Sequence, residues 1–227
     1  MPFLFNVDYW LFLLPALLFT MWAQARVRGA YERWSQVAAA SGFTGADVAR
    51  ELLHRAGVHD VRIEAIGGHL TDHYDPRQRA VRLSPGVYGG RSLAALGIAA
   101  HEIGHVLQDR DGYVWLGVRN AIIPLTQFGS QLAMPLFLAG LIFASGFLQD
   151  LGILLFLFAV IFQLITLPVE FNASSRAVAL LEGGHFVTRN EVGAVRQVLN
   201  AAALTYVAAL AVALANLLYM LHLRQRD

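Results

Sequence analysis

The sequence predicts a mainly α membrane protein, with four transmembrane helices and a small α+β unit between the first and second. Two observations carry that prediction. Of 227 residues, 56% are hydrophobic and only 15% are charged, too apolar a balance for an ordinary water-soluble domain. Four stretches free of charge are of the order of the roughly 20 residues that a helix rising 1.5 Å per residue needs to cross a hydrocarbon layer of about 30 Å.

The spans fall at about 9–25, 125–148, 151–169 and 200–223. The first is centred on LFLLPALLFTMW and is expected to stay in the mature chain. Ala23-Gln24-Ala25 has the small-x-small form of a cleavage site, but Asp8 precedes the apolar run and the Arg residues follow it, the reverse of a secretory signal. The uncharged run Asn120–Gln149 and the third span are separated only by Asp150, with Gly146 and Gly152 nearby. That reads as a helical hairpin turning at one membrane surface, its open ends together on the other side. Arg26, Arg28, Arg33, Arg110, Arg119, Arg176, Arg189 and Arg196 flank one side of the spans, and only Arg224 and Arg226 the other. The Arg-rich side is expected to face the cytoplasm of a cell (inner) membrane.

Residues 26–115 read as the soluble α+β unit, and the chain 1–227 as a single domain. Ser41-Gly42-Phe43-Thr44 leads into ADVARELLHRAG, where Val48, Leu52, Leu53 and Ala56 recur at helical spacing and Gly57 can cap. Val61–Glu64 and Ala80–Leu83 alternate apolar and polar as strands do, with a turn expected in HLTDHYDPRQ between them. A further helix is predicted from near Ser92 through Leu107, burying Leu96, Ala99, Ala100, Ile103, Val106 and Leu107, with Gly97, His101, His105 and Gln108 on its other face. Thr188 and Glu191 have capping-box spacing and predict a short helix before the last span.

Some chemistries are excluded. No Cys means no disulfide, no thiolate nucleophile and no Cys-based metal site. A net charge of +1 with scattered Arg gives no tract for nucleic acid, so none is expected as a partner.

What remains is His and carboxylate chemistry, concentrated in His101-Glu102-Ile103-Gly104-His105. Residues four apart on a helix project from one face, so two imidazoles at that spacing can share a metal ion, with the intervening Glu placed to act as a base. Zinc suits imidazole and lowers the pKa of a bound water toward 7, which makes a nucleophile available at neutral pH. The bland alternative is a helix with two His facing a polar core.

A catalytic zinc takes three protein ligands and keeps one position open. Among the acidic residues after the motif, Asp109 and Asp111 directly follow the helix, Asp150 falls at the opposite membrane face and Asp227 is terminal. Glu170 stands at the inner end of the third span, on a predicted helix over about 168–182. There Ala173, Ser174 and Ala177 share its face and let another helix come close. Glu182 and His185 are rivals, although Gly183-Gly184 marks a helix end there. The bland reading of Glu170 is an interfacial carboxylate paired with an Arg such as Arg176.

AAHEIGHVLQ and LPVEFNASSRA resemble the YugP-like family of membrane zinc metallopeptidases and, more distantly, HtpX and CAAX-prenyl-protease type gluzincins. The likeness extends through DHYDP, AVRLS and VLNAAALTYVAA. The resemblance implies a zincin-like metallopeptidase unit, zinc on His101, His105 and Glu170, and Glu102 as catalytic base, the same four residues that the spacing argument reaches. In HtpX-like chains an Asp follows the third ligand by four positions; here Ser174 stands there, and an amide, Asn172, stands where YugP-like chains carry an acidic or amide residue. Related gluzincins pair an extended substrate with an edge strand, for which AVRLS is the candidate. The expected function is a zinc-dependent endopeptidase at the membrane surface, acting through a metal-activated water on a membrane or membrane-proximal polypeptide, with the lipid bilayer as its other partner. Two alternatives stand beside it: an inactive metal-binding membrane scaffold and a small ion transporter. For the oxyanion, Tyr74, Tyr88, His185 and Arg176 are unranked candidates.

Overall fold

The structure, a computed structural model, describes residues 7–226. Seven helices and three short strands follow one another: α1 (Val7–Ser35), α2 (Gly45–Arg55), β1 (Arg62–Ala65), β2 (His73–Asp75), β3 (Ala80–Leu83), α3 (Pro85–Tyr88), α4 (Leu93–Arg110), α5 (Val114–Ile142), α6 (Gly146–Gly183) and α7 (Arg189–Arg224). Four of them, α1, α5, α6 and α7, are long and apolar enough to cross a membrane. The mainly α membrane fold with a small mixed sheet is therefore as expected. The chain divides into two compact units. One holds the residues up to Gln24, Val114–Pro168 and those from Leu204 on; the other holds Ala25–Tyr113 and Val169–Ala203.

In the first unit, large apolar side chains such as Leu14, Leu18, Leu132, Leu154 and Leu218 point outward, while Ala16, Ala23, Ala133, Ala208 and Ala215 are buried. Lipid is as apolar as leucine, so helix contacts inside a bilayer depend on small residues that let backbones approach. Gly152 shows this: a Cβ there would lie 2.7 Å from the Ala133 carbonyl oxygen and 2.8 Å from the Phe137 backbone nitrogen. The hairpin forms, but its turn lies at residues 143–145, where Ala144 takes φ +50°, and Asp150 stands in α6. Ion pairs join helix ends: Arg224 to Asp150 at 2.7 Å and Arg226 to Asp8 at 2.5 Å.

The second unit is built around α4. Thr44 caps α2 in a full capping box with Asp47, and Val48, Ala49, Leu52 and Leu53 pack into a core shared with Leu83, Leu93, Leu96, Ile103, Leu181 and Val195. At the end of α2, Gly57 adopts φ +68°, a left-handed conformation that favours glycine.

Three expectations need correcting here. β3, the AVRLS strand, is central, with the order β1-β3-β2; it pairs parallel with β1 and antiparallel with β2, so it is no free edge for a substrate. The stretch read as a turn contains β2, and the tight reversal is confined to Asp75–Arg79, where the Asp75 carboxylate accepts from the amides of Arg77 and Gln78. The helix started by Thr188 does not stop before the last span: α7 runs unbroken for 36 residues, about twice the length a bilayer core requires.

Candidate metal centre

Ser92 opens α4 by accepting the Ala95 amide at 3.2 Å. Most of both faces is then buried: on the face predicted to be polar Gly97, His105 and Gln108 are enclosed and His101 is partly open, and Gly104 is buried along with Leu96 and Ile103. The reason is glycine. A Cβ on Gly104 would sit 2.6 Å from the Ala173 carbonyl oxygen, and one on Gly97 would sit 3.2 Å from Val195 Cγ1. α6 therefore lies directly against α4 at Gly104, through the small-residue face that carries Glu170.

That crossing brings the three sequence-predicted ligands together. Glu170 Oε2 lies 3.2 Å from His101 Nε2 and 3.5 Å from His105 Nε2. Their ligand atoms all fall within 4.8 Å of one another, near enough to hold one metal ion. Side-chain exposures of 15% for His101, 11% for His105 and 5% for Glu170 leave His101 the most open of the three. The rivals Glu182 and His185 are exposed and take no part in this group.

The outer nitrogen of each imidazole has its own partner. His101 Nδ1 is 3.1 Å from Ser174 Oγ, the residue that replaces the Asp of the HtpX-like pattern. His105 Nδ1 is 2.9 Å from Gln108 Oε1. The direction of that second bond follows from a chain of fixed donors. The Arg176 guanidinium donates to Asn172 Oδ1 at 2.9 Å, and Arg can only donate. Gln108 Nε2 donates to the same Asn172 oxygen at 3.0 Å and to the Val169 carbonyl at 2.8 Å. Gln108 Oε1 must then be the acceptor facing His105, so Nδ1 carries a proton and Nε2 is the nitrogen turned toward Glu170. A metal-binding histidine needs this tautomer. Sequence reasoning placed Gln108 on the motif face without giving it a role.

Glu102 is buried at 7% exposure, and no hydrogen bond reaches its carboxylate among the described residues. Burial pushes its pKa up; the imidazoles of His101 and His105 pull the other way, while Glu170 and Asp72 add to the rise. For His105, burial opposes the charged form, but Glu170 and Glu102 outweigh it and raise the pKa. Two buried carboxylates beside two imidazoles form a donor set that a divalent cation satisfies, and two His with one Glu is a known zinc ligand set. The residues fit zinc. Of the oxyanion candidates, Tyr74 donates to Asp109 at 2.8 Å, Tyr88 accepts from Arg50 at 2.7 Å, Arg176 is held by Asn172 and Asp111, and His185 is exposed.

Comparison with known proteins bears on the chain as a whole. The family described as "Putative neutral zinc metallopeptidase" matches residues 9–225. The chain belongs to this family. It is 50% identical over 216 residues to the "Putative membrane protease YugP" of Bacillus subtilis (strain 168), covering 94% of this chain and 96% of that protein. No solved structure matches it.

Proposed function

We propose that this chain is a zinc-dependent endopeptidase, with His101, His105 and Glu170 as metal ligands and Glu102 as general base. The observation that carries the reading is the convergence of both Nε2 atoms on Glu170 Oε2, with an unpartnered, buried carboxylate one residue from the first ligand. Bound there, zinc supplies Lewis acidity and brings the pKa of a water near 7.

The chain's own residues supply the rest. Ser174 and the Gln108–Asn172–Arg176 chain hold the rings so that both Nε2 atoms point toward Glu170. Glu102, whose pKa burial raises, takes the proton of the attacking water and delivers it to the leaving amine nitrogen. Low exposure around Glu170 and His105 limits bulk water at the reacting bond. Because Glu170 directly follows the third apolar span on one unbroken helix, the substrate is a membrane or membrane-proximal polypeptide. The Arg distribution supports a site on the cytoplasmic face of a cell membrane.

The test is a proteolysis assay on purified wild type and Glu102→Gln, with zinc measured in both. We expect cleavage to fall by about 10²–10⁴-fold in the variant while zinc stays bound. Equal cleavage in both removes Glu102 from the role, and zinc bound without any cleavage by wild type favours a scaffold.

A further inference from the structure

In the unit that carries the metal centre, a cavity of about 340 Å³ opens between α6 and α7. Its polar lining is Ser174 and Ser175 from α6 and Arg196 and Asn200 from α7, over an apolar floor that includes Val178 and Leu199. The positions recur at helical spacing on each helix, so the two faces were turned toward one space by the packing of α7 on α4 at Val195 and Gly97. The hydrophobic core on that side is complete: Val195 and Leu199 are buried.

Two features make the cavity more than a gap. Its wall is shared with the metal centre, because Ser174 is also the hydrogen-bond partner of His101 Nδ1. Two of its polar groups, both open to solvent, also have no protein partner: among the described residues no carboxylate pairs with Arg196, and no side chain bonds the Asn200 amide, although Arg176, one helix away, is held by both Asn172 and Asp111. A guanidinium, an amide and a serine hydroxyl offer a cluster of donors with a net positive charge. The group that answers such a cluster in a polypeptide is a carboxylate, which a guanidinium grips with two parallel bonds.

We propose that this cavity is a substrate subsite that takes a peptide carboxylate, from an acidic side chain or from the chain terminus, through Arg196 and Asn200. The inference rests on the peptidase reading and deepens it. A phospholipid phosphate is the competing occupant, since Arg196 precedes the apolar part of α7. Enclosure by Ser174 and the shared wall with His101 favour the peptide, because a flanking Arg needs no cavity to meet a headgroup.

The experiment profiles cleavage of mixed-sequence peptide libraries, with free and with amidated C-termini, by the full-length protein loaded with zinc. Wild type, Arg196→Gln and Arg196→Glu are compared, with Glu102→Gln as the blank. The expected result is enrichment of Asp and Glu, on the order of tenfold, at one position near the cut bond. Arg196→Gln loses the enrichment and Arg196→Glu replaces it with Lys and Arg, at unchanged zinc content. If the terminus is the group recognised, amidation abolishes the preference. Cleavage that depends on Glu102 but shows no acidic preference, or a preference that survives Arg196→Glu, overturns the subsite and leaves the peptidase standing. Loss of phosphatidylglycerol from Arg196→Glu with an unaltered cleavage profile assigns Arg196 to lipid and also overturns it. No Glu102-dependent cleavage by wild type removes the peptidase reading and the subsite with it.

Discussion

The two units solve opposite packing problems with the same residue types. Around α4, Leu52, Leu83, Leu96 and Ile103 are wholly buried and even Gln108, His105 and Glu102 are enclosed. In the span unit, many leucines and phenylalanines are turned outward, and alanine and glycine make close contacts inside beside a few large buried side chains such as Phe137 and Tyr219. Water drives the first arrangement, since every apolar side chain gains by leaving it. In the second, the surroundings are as apolar as the side chains, so close backbone approach and ion pairs at helix ends decide which helices touch. Position in one unit or the other therefore predicts what a leucine or a glycine contributes.

The largest contrast concerns leucine. Leu96→Ala should destabilise the protein by about 2–5 kcal/mol, because Leu96 is fully buried in the core beside the motif. Leu132→Ala, at a position 52% exposed, should lie within about 0.5 kcal/mol of wild type. Thermal unfolding in a single detergent measures both, and similar losses would break the comparison.

Glycine sharpens it next. Gly104→Val forces α4 away from the Ala173 carbonyl, so a cost of about 1–3 kcal/mol should come with loss of zinc, as Glu170 is carried away from the imidazoles. Gly152→Val meets an equally close backbone and should cost a similar amount, yet leave zinc content near wild type. Metal analysis of the two folded variants separates the effects.

Gln108→Ala probes the fixed donors. Zinc affinity is expected to fall by about 10–100-fold, read by competition with a chelator, while Gln108→Glu, which keeps an acceptor for His105 Nδ1, should recover part of it. The smallest effect belongs to the N-cap of α2. Thr44→Ala should cost about 1 kcal/mol. The hydrogen bond from Thr44 holds Asp47 below the usual carboxylate range, so its contribution is present above the unfolded pKa of about 3.9 and lost as pH falls through the lower folded value. An acid titration of stability should show that dependence weakened in the variant.

Much of this was legible in the sequence. Four apolar runs gave the spans, and the i, i+4 pairing of imidazoles together with elimination among seven acidic residues reached Glu170. Other elements were hidden for physical reasons. β2 is three residues long and has too few positions for alternation to show, so the centrality of β3, which depends on pairing on both sides, went unseen. The unbroken α7 conflicts with no local signal, since Gly193 is the only breaker between its cap and the span. Gln108 was invisible because its partners, Val169 and Asn172, lie across a helix crossing more than sixty residues away. Long-range hydrogen bonds leave no periodicity.

The chain from Arg176 through Asn172 and Gln108 to His105 has one further result. Neither a guanidinium nor a primary amide gives up and regains protons readily near neutral pH, so this route conducts no proton between the centre and its surroundings. It is a strut and not a wire. Hydrogen ions reaching or leaving the imidazoles are left to the groups beside them that can relay a proton, Glu102 and the Ser174 hydroxyl.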